Sequence, residues 1–288
     1  MGYNKFHTVV LILFFFLLLS TLLFSQLVSF TEDFSTDPAL RGWSYSGINP
    51  GKSPHTPPLF VWNSTENRLD VTYNSNLANS MFFKPLDVAV DECSIFKFSF
   101  KLFLTNIQAE TDGFCQFTFG LRNTTRDDFD RFGKDFFNPN DPYSCFDIVE
   151  WGYVPNPQSP GLFYFDPFVF PTICTSESDN FRNNWSPATV TQLQTDVLYE
   201  ITQTYEPAER KLYMEMTADG VPITNADVTT PVSLYEGDVF YCNAIAVSNY
   251  YNRFDWNLTP DTIVHGYIDD ISFEYYGLAS AENWNLFN

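Results

Sequence analysis

The stretch Ile95-Phe-Lys-Phe-Ser-Phe-Lys-Leu-Phe-Leu104 decides the fold. Phe96, Phe98, Phe100, Leu102 and Leu104 fall on one side, with Lys97, Ser99 and Lys101 on the other. This period of two marks a strand with one face against a core and the other toward water. Working outward, Cys115–Leu121 (CQFTFGL) alternates in the same way through Phe117, Phe119 and Leu121, and Cys115 falls on their face. Residues 198–220, LYEITQTYEPAERKLYMEMTADG, read as strand, turn, strand and a final Asp219-Gly220 turn, with Leu212, Met214 and Met216 facing the core. The last such segment, HGYIDDISFEYY from His265, places Tyr267, Ile271, Phe273 and Tyr275 on one side. Helical periodicity is almost absent. Many short strands joined by wide loops imply an all-β fold, two antiparallel sheets packed as a jelly-roll β-sandwich.

Two long loops interrupt the pattern. Residues 122–144 are rich in Asp and Asn, and residues 44–58 in Pro, Gly and Ser. The first residues differ from the rest: Val9 to Phe30 carries no charge and follows Lys5. This is the layout of an N-terminal signal or anchor helix. The expected organisation is a signal peptide over 1–29, a sandwich over 30–277 and a tail over 278–288. Cut or kept, the leader places the body outside the cell, secreted or at the surface. Membrane contact is expected only through an uncleaved leader.

The 288 residues carry a formal net charge of −20, and 31 of them are Phe. Such acidity repels phosphate backbones and excludes nucleic-acid binding, while the aromatics supply a large core. Five cysteines, Cys93, Cys115, Cys145, Cys174 and Cys242, leave at least one unpaired, and their connectivity is open. Sequons stand at Asn63, Asn123, Asn184 and Asn257. Sugar binding calls for aromatic platforms beside polar planar groups. Glu150-Trp151-Gly152-Tyr153 supplies both, as does the run holding Tyr250, Tyr251, Arg253 and Trp256.

Several segments together resemble the concanavalin A-like lectin/glucanase superfamily, in particular its secreted, LamG-like members. They are EDFSTDPALRGW from Glu32, FVWNSTENRLDVTYNSNLANSMFFKPL from Phe60, FTFGL from Phe117, DIVEWGYVP from Asp147, NAIAVSNYY from Asn243 and IVHGYIDDISFE from Ile263. The resemblance implies a glycan or polysaccharide partner. It also bears on catalysis: family 16 glycoside hydrolases carry E-x-D-x-x-E on one strand, and here Cys145, Asp147 and Glu150 fill those places. With a cysteine where the nucleophile stands, no carboxyl pair remains for a retaining mechanism. Asp147 and Glu150 are then expected to line a sugar groove without catalysis. Two alternatives remain, a structural or adhesive protein-binding scaffold and a glucanase-like hydrolase. In related carbohydrate-binding modules an acidic N-terminal strand meets an Ile-Asp-Asp strand at a calcium ion. This implies a structural Ca2+ held by Glu32, Asp33, Asp269 and Asp270.

Overall fold

The computed structural model describes residues 26–47, 58–74, 80–108, 116–124, 147–155, 167–175, 191–250 and 262–277. The expected leader helix, Cys115 and Cys145 lie outside them. Among the described residues fifteen strands are formed: β1 (Gln26–Glu32), β2 (Ser44–Gly47), β3 (Phe60–Asn63), β4 (Arg68–Asn74), β5 (Ser80–Asp91), β6 (Ile95–Gln108), β7 (Gln116–Arg122), β8 (Ile148–Val154), β9 (Phe168–Cys174), β10 (Leu198–Glu206), β11 (Lys211–Ala218), β12 (Val221–Pro222), β13 (Val232–Ser233), β14 (Tyr241–Tyr250) and β15 (Ile263–Gly277). A one-turn helix, α1 (Ala226–Thr229), lies between β12 and β13.

The strands make two antiparallel sheets. The larger runs β12-β11-β10-β6-β15-β4-β3, with β1 also beside β15 and β13 beside β11. The smaller runs β2-β5-β14-β7-β8-β9. Rings interlock between them: Phe100 of β6 sits 4.3 Å from Phe119 of β7 and 5.4 Å from Trp151 of β8, and Tyr73 of β4 stacks on Phe117 at 4.0 Å. Such pairs add to area burial, so the phenylalanine-rich strands fix how the sheets face each other.

The alternation in β6 holds residue by residue, with Phe96 to Leu104 buried at every second position. The β10–β11 hairpin forms as expected, and Leu212, Met214 and Met216 are buried. Asp219 and Gly220 both take positive φ, 48° and 77°, as a two-residue hairpin turn of the primed kind requires.

Three details differ from the sequence reading. First, β1 begins at Gln26, ahead of residue 30, because Gln26 to Glu32 pair without interruption with Gly277 to Ile271. Second, the Ser44–Gly47 part of the 44–58 loop is strand, paired to Phe83–Ser80 at the edge of the smaller sheet. Third, Tyr267 does not share the core face of Ile271, Phe273 and Tyr275. The pairing with β6 slips between Asp269 and Ser272, where Asp270 adopts φ 47°, and a bulge of this kind moves later residues to the other face. Tyr267 therefore stacks outside on Phe103 at 5.1 Å, beneath the Arg68 guanidinium at 4.3 Å.

Helix α1 packs against β9 and β11 and closes one side of the sandwich. Its buried Asp227 accepts a hydrogen bond from the Thr191 hydroxyl at 2.9 Å, and burial pushes its carboxyl above the ordinary 3.8. The folded chain thus binds this proton more readily than the unfolded one. The stability it contributes is full below the ordinary value and is lost as pH rises through the raised folded value. Asp227→Asn is expected to remove that part of the slope, which urea midpoints recorded from pH 3 to 7 would show. An unchanged slope would assign the titration elsewhere.

Candidate functional site

The strands of the smaller sheet alternate between two unlike faces. In β7, Phe117, Phe119 and Leu121 enter the core, which leaves Thr118, Gly120 and Arg122 on the outer face. In β8, Val149, Trp151 and Tyr153 are core, so Ile148, Glu150, Gly152 and Val154 face outward. In β9, Val169 and Ile173 are core, with Phe168, Phe170 and Thr172 outside. The pairing aligns these outer residues in rows across the strands. One row is Ser248, Thr118, Gly152 and Phe170, and the next is Ala246, Gly120, Glu150 and Thr172.

The result is a strip of polar and small side chains bordered by rings. Arg122 donates from Nη1 to the Ser248 hydroxyl at 3.0 Å, and Phe168 and Phe170 lie 5.1 Å apart at the edge. Arg122, Glu150, Thr118, Thr172 and Ser248 are each at most 2% exposed. The Thr118 hydroxyl has no hydrogen-bond partner among the described residues. Placing charged and hydroxyl groups on a covered sheet face is costly where apolar residues would serve for structure alone, so the strip is the best candidate for a ligand site. The signal was present in FTFGLR, where Thr, Gly and Arg alternate with core residues, but the rows that set Ser248 beside Thr118 and Thr172 beside Glu150 follow from strand order alone.

The expected site residues divide accordingly. Glu150 lies in the strip. Asp147 stands just ahead of β8, buried, and its side chain accepts from the Tyr241 amide at 3.0 Å. Ile148 to Val154 pair on both sides without a register slip, so no bulge in β8 returns Glu150 to the face of Asp147. Trp151 and Tyr153, expected as stacking platforms, are corrected to core residues. Trp151 packs among Phe100, Phe117 and Tyr153, and the Tyr153 hydroxyl accepts from the Leu193 amide. Burial pushes the Tyr153 phenol far up. Tyr250 ends β14, and Tyr251, Arg253 and Trp256 lie outside the described residues.

The four acids expected to hold calcium do meet where β1 joins β15, and they have other partners. Glu32 is buried. It accepts from the Phe34 amide and the Trp43 indole, each at 2.9 Å, and pairs with Arg41 at 2.5 Å. Asp33 accepts from Ser35 and pairs with Arg41 at 3.2 Å, which holds its carboxyl at about 2. Asp270 pairs with Lys101 at 2.7 Å, and Asp269 accepts from the Asp270 amide at 2.8 Å. Among the described residues no group of three or more His, Cys, Asp or Glu side chains is placed to hold a metal ion. The charge compensation asked of a cation comes from Arg41 and Lys101, and the set does not fit one ion bridging all four acids. Chelation is expected to leave the melting temperature unchanged, whereas Arg41→Met should cost about 2 kcal/mol, between exposed and buried pairs. A melt that responds to EDTA would return a cation to this junction.

No family model matches the sequence, and no curated protein does. Solved structures do match. The winged bean acidic lectin complexed with methyl-α-D-galactose aligns over 87% of this chain and 99% of its own, with TM-score 0.51 at 11% identity. The carbohydrate recognition domain of Emp47p aligns over 88% of this chain and 98% of its own, with TM-score 0.50 at 13% identity. With the two antiparallel sheets described above, these likenesses show that the chain has the concanavalin A-like jelly-roll fold.

Proposed function

We propose that this protein is an extracellular carbohydrate-binding sandwich whose sugar seats on the outer strip of the smaller sheet. The observation that carries the reading is the buried polar face itself: Arg122, Glu150, Thr118 and Thr172 beside the rings of Phe168 and Phe170. A pyranose presents hydroxyls around its ring and apolar C–H groups on its face, and the strip offers donors, acceptors and rings for both. Gly120 lets β8 approach β7 closely and so sets Glu150 in its row. The strip is closed to solvent, so binding requires the face to open. The lectin fold of the neighbours, one of them complexed with a galactoside, supports the same class of ligand.

The test is a glycan array followed by calorimetry on any hit, with Thr118→Val as the diagnostic variant. If the hydroxyl serves only the fold, valine relieves an unpartnered buried group and nothing else changes. If it serves a ligand, the variant is more stable by about 1 kcal/mol, from the lost desolvation penalty, yet binds the sugar roughly tenfold more weakly, the worth of one hydrogen bond. Full affinity in a stabilised variant would sink this placement. Silence across the array would sink the function.

A further inference from the structure

We infer that one end of the sandwich rests on a lipid bilayer, held there by the apolar N-terminal segment. The pair Gln26↔Gly277 fixes where that segment joins the fold. At the same end lie the start of β6, where Ile95 pairs with Tyr276, the Asp91–Ser94 turn, the β10–β11 turn and the β13–β14 connection. Eight large hydrophobic side chains are exposed among the described residues, and five of them, Ile95, Tyr235, Val239, Tyr241 and Tyr276, belong to this end.

These groups are held firmly. Arg210 donates to the carbonyls of Tyr235 and Asp238, both at 2.6 Å, and its own carbonyl accepts from the Leu234 amide at 2.8 Å. The Tyr205 hydroxyl donates to the Glu92 carbonyl at 3.2 Å and fixes the neighbouring turn. A rigid collar dominated by tyrosine suits the headgroup region, where the ring meets acyl chain and the hydroxyl meets water.

Val9 to Ser25 is seventeen uncharged residues, within the roughly 17–25 that a spanning helix needs. Because β1 begins at Gln26, no spacer separates this segment from the collar. A cut inside Gln26–Glu32 would remove residues paired to β15, so only a cut ahead of Gln26 spares the strand, and it is the exposed tyrosine-rich collar that favours a segment that stays attached. The chemistry also selects the lipid. Acids at this end, among them Glu92, Glu209, Glu236 and Asp238, outnumber Arg210 and Lys211, so a zwitterionic surface fits and an anionic one is repelled.

The exposed thiol of Cys93 on the Asp91–Ser94 turn provides a reporter. Full-length chain would be inserted in phosphatidylcholine vesicles containing a lipid spin-labelled at the headgroup, with a fluorophore on Cys93. The control carries Cys93→Ser with Val221→Cys, whose site is 66% exposed at the start of β12, beside the turn at the far end of β11. At least a twofold stronger quench at position 93 than at 221 is expected, reduced when phosphatidylserine replaces part of the phosphatidylcholine. Equal quenching at both ends, or intensity at 93 unchanged by spin label, would overturn the orientation. So would recovery of the exported chain without residues 1–25. If deleting 278–288 shifts the emission of the Cys93 label without lipid, the tail covers the collar and the lipid assignment fails.

Discussion

Trp151→Ala is expected to destabilise the protein by about 4 kcal/mol, as for other buried aromatics truncated to alanine. For a domain of this size that lowers the melting temperature by roughly 8–16 °C. The indole is 1% exposed and touches rings from both sheets, Phe100 of β6 and Phe117 of β7. Its removal leaves a cavity that these strands cannot close without breaking ladder hydrogen bonds. Trp151→Phe should retain most of the stability, because the indole Nε1 has no hydrogen-bond partner to lose among the described residues. Neither change should alter sugar affinity in the folded fraction, since the ring faces away from the strip. The readout is a pair of urea melts alongside calorimetry with a glycan hit. A stable Trp151→Ala variant with weakened binding would restore this residue as a stacking platform.

Why the sequence misplaced this residue follows from the strand that carries it. Strands with one wet face write their parity into the sequence, as β6 does by opposing Phe96, Phe98 and Phe100 to Lys97, Ser99 and Lys101. Strand β8 reads Ile-Val-Glu-Trp-Gly-Tyr-Val and is buried on both faces along its whole length. With apolar residues on both faces the run shows no clean period of two, so nothing local assigned Trp151 to the core and Glu150 to the outer face. Tyr267 failed for a different reason. Its strand does alternate, but the αL conformation of Asp270 shifts the parity midway, and an Asp-Asp pair gives no sign of a bulge. At the junction of the termini, Glu32, Asp33, Asp269 and Asp270 were legible as acids brought together. Arg41 and Trp43, which satisfy Glu32, come from a turn whose return toward β1 only the fold reveals.

Gly120→Ala tests whether the strip owes its shape to a missing side chain. A Cβ on Gly120 would stand 2.3 Å from the Val149 carbonyl oxygen and 2.5 Å from the Glu150 Cα. Both are backbone atoms of the paired strand, so no rotamer change relieves the overlap, and β7 and β8 must separate. A cost of about 3 kcal/mol is expected, at the upper end for an added methyl, with a melting temperature lower by roughly 6–12 °C. The consequence at the site is separate from the loss of stability. The added Cβ would also come within 2.6 Å of the Glu150 Cβ, so whatever fraction folds should hold Glu150 displaced from its row with Thr172. Glycan affinity should then fall even at temperatures where the variant is fully folded, whereas Trp151→Ala loses stability alone. If Gly120→Ala folds with normal stability, the close approach of β7 to β8 is wrong. If it is destabilised but binds sugar normally, Glu150 does not belong to the binding surface, and the strip would shrink to Arg122, Thr118 and the phenylalanines of β9.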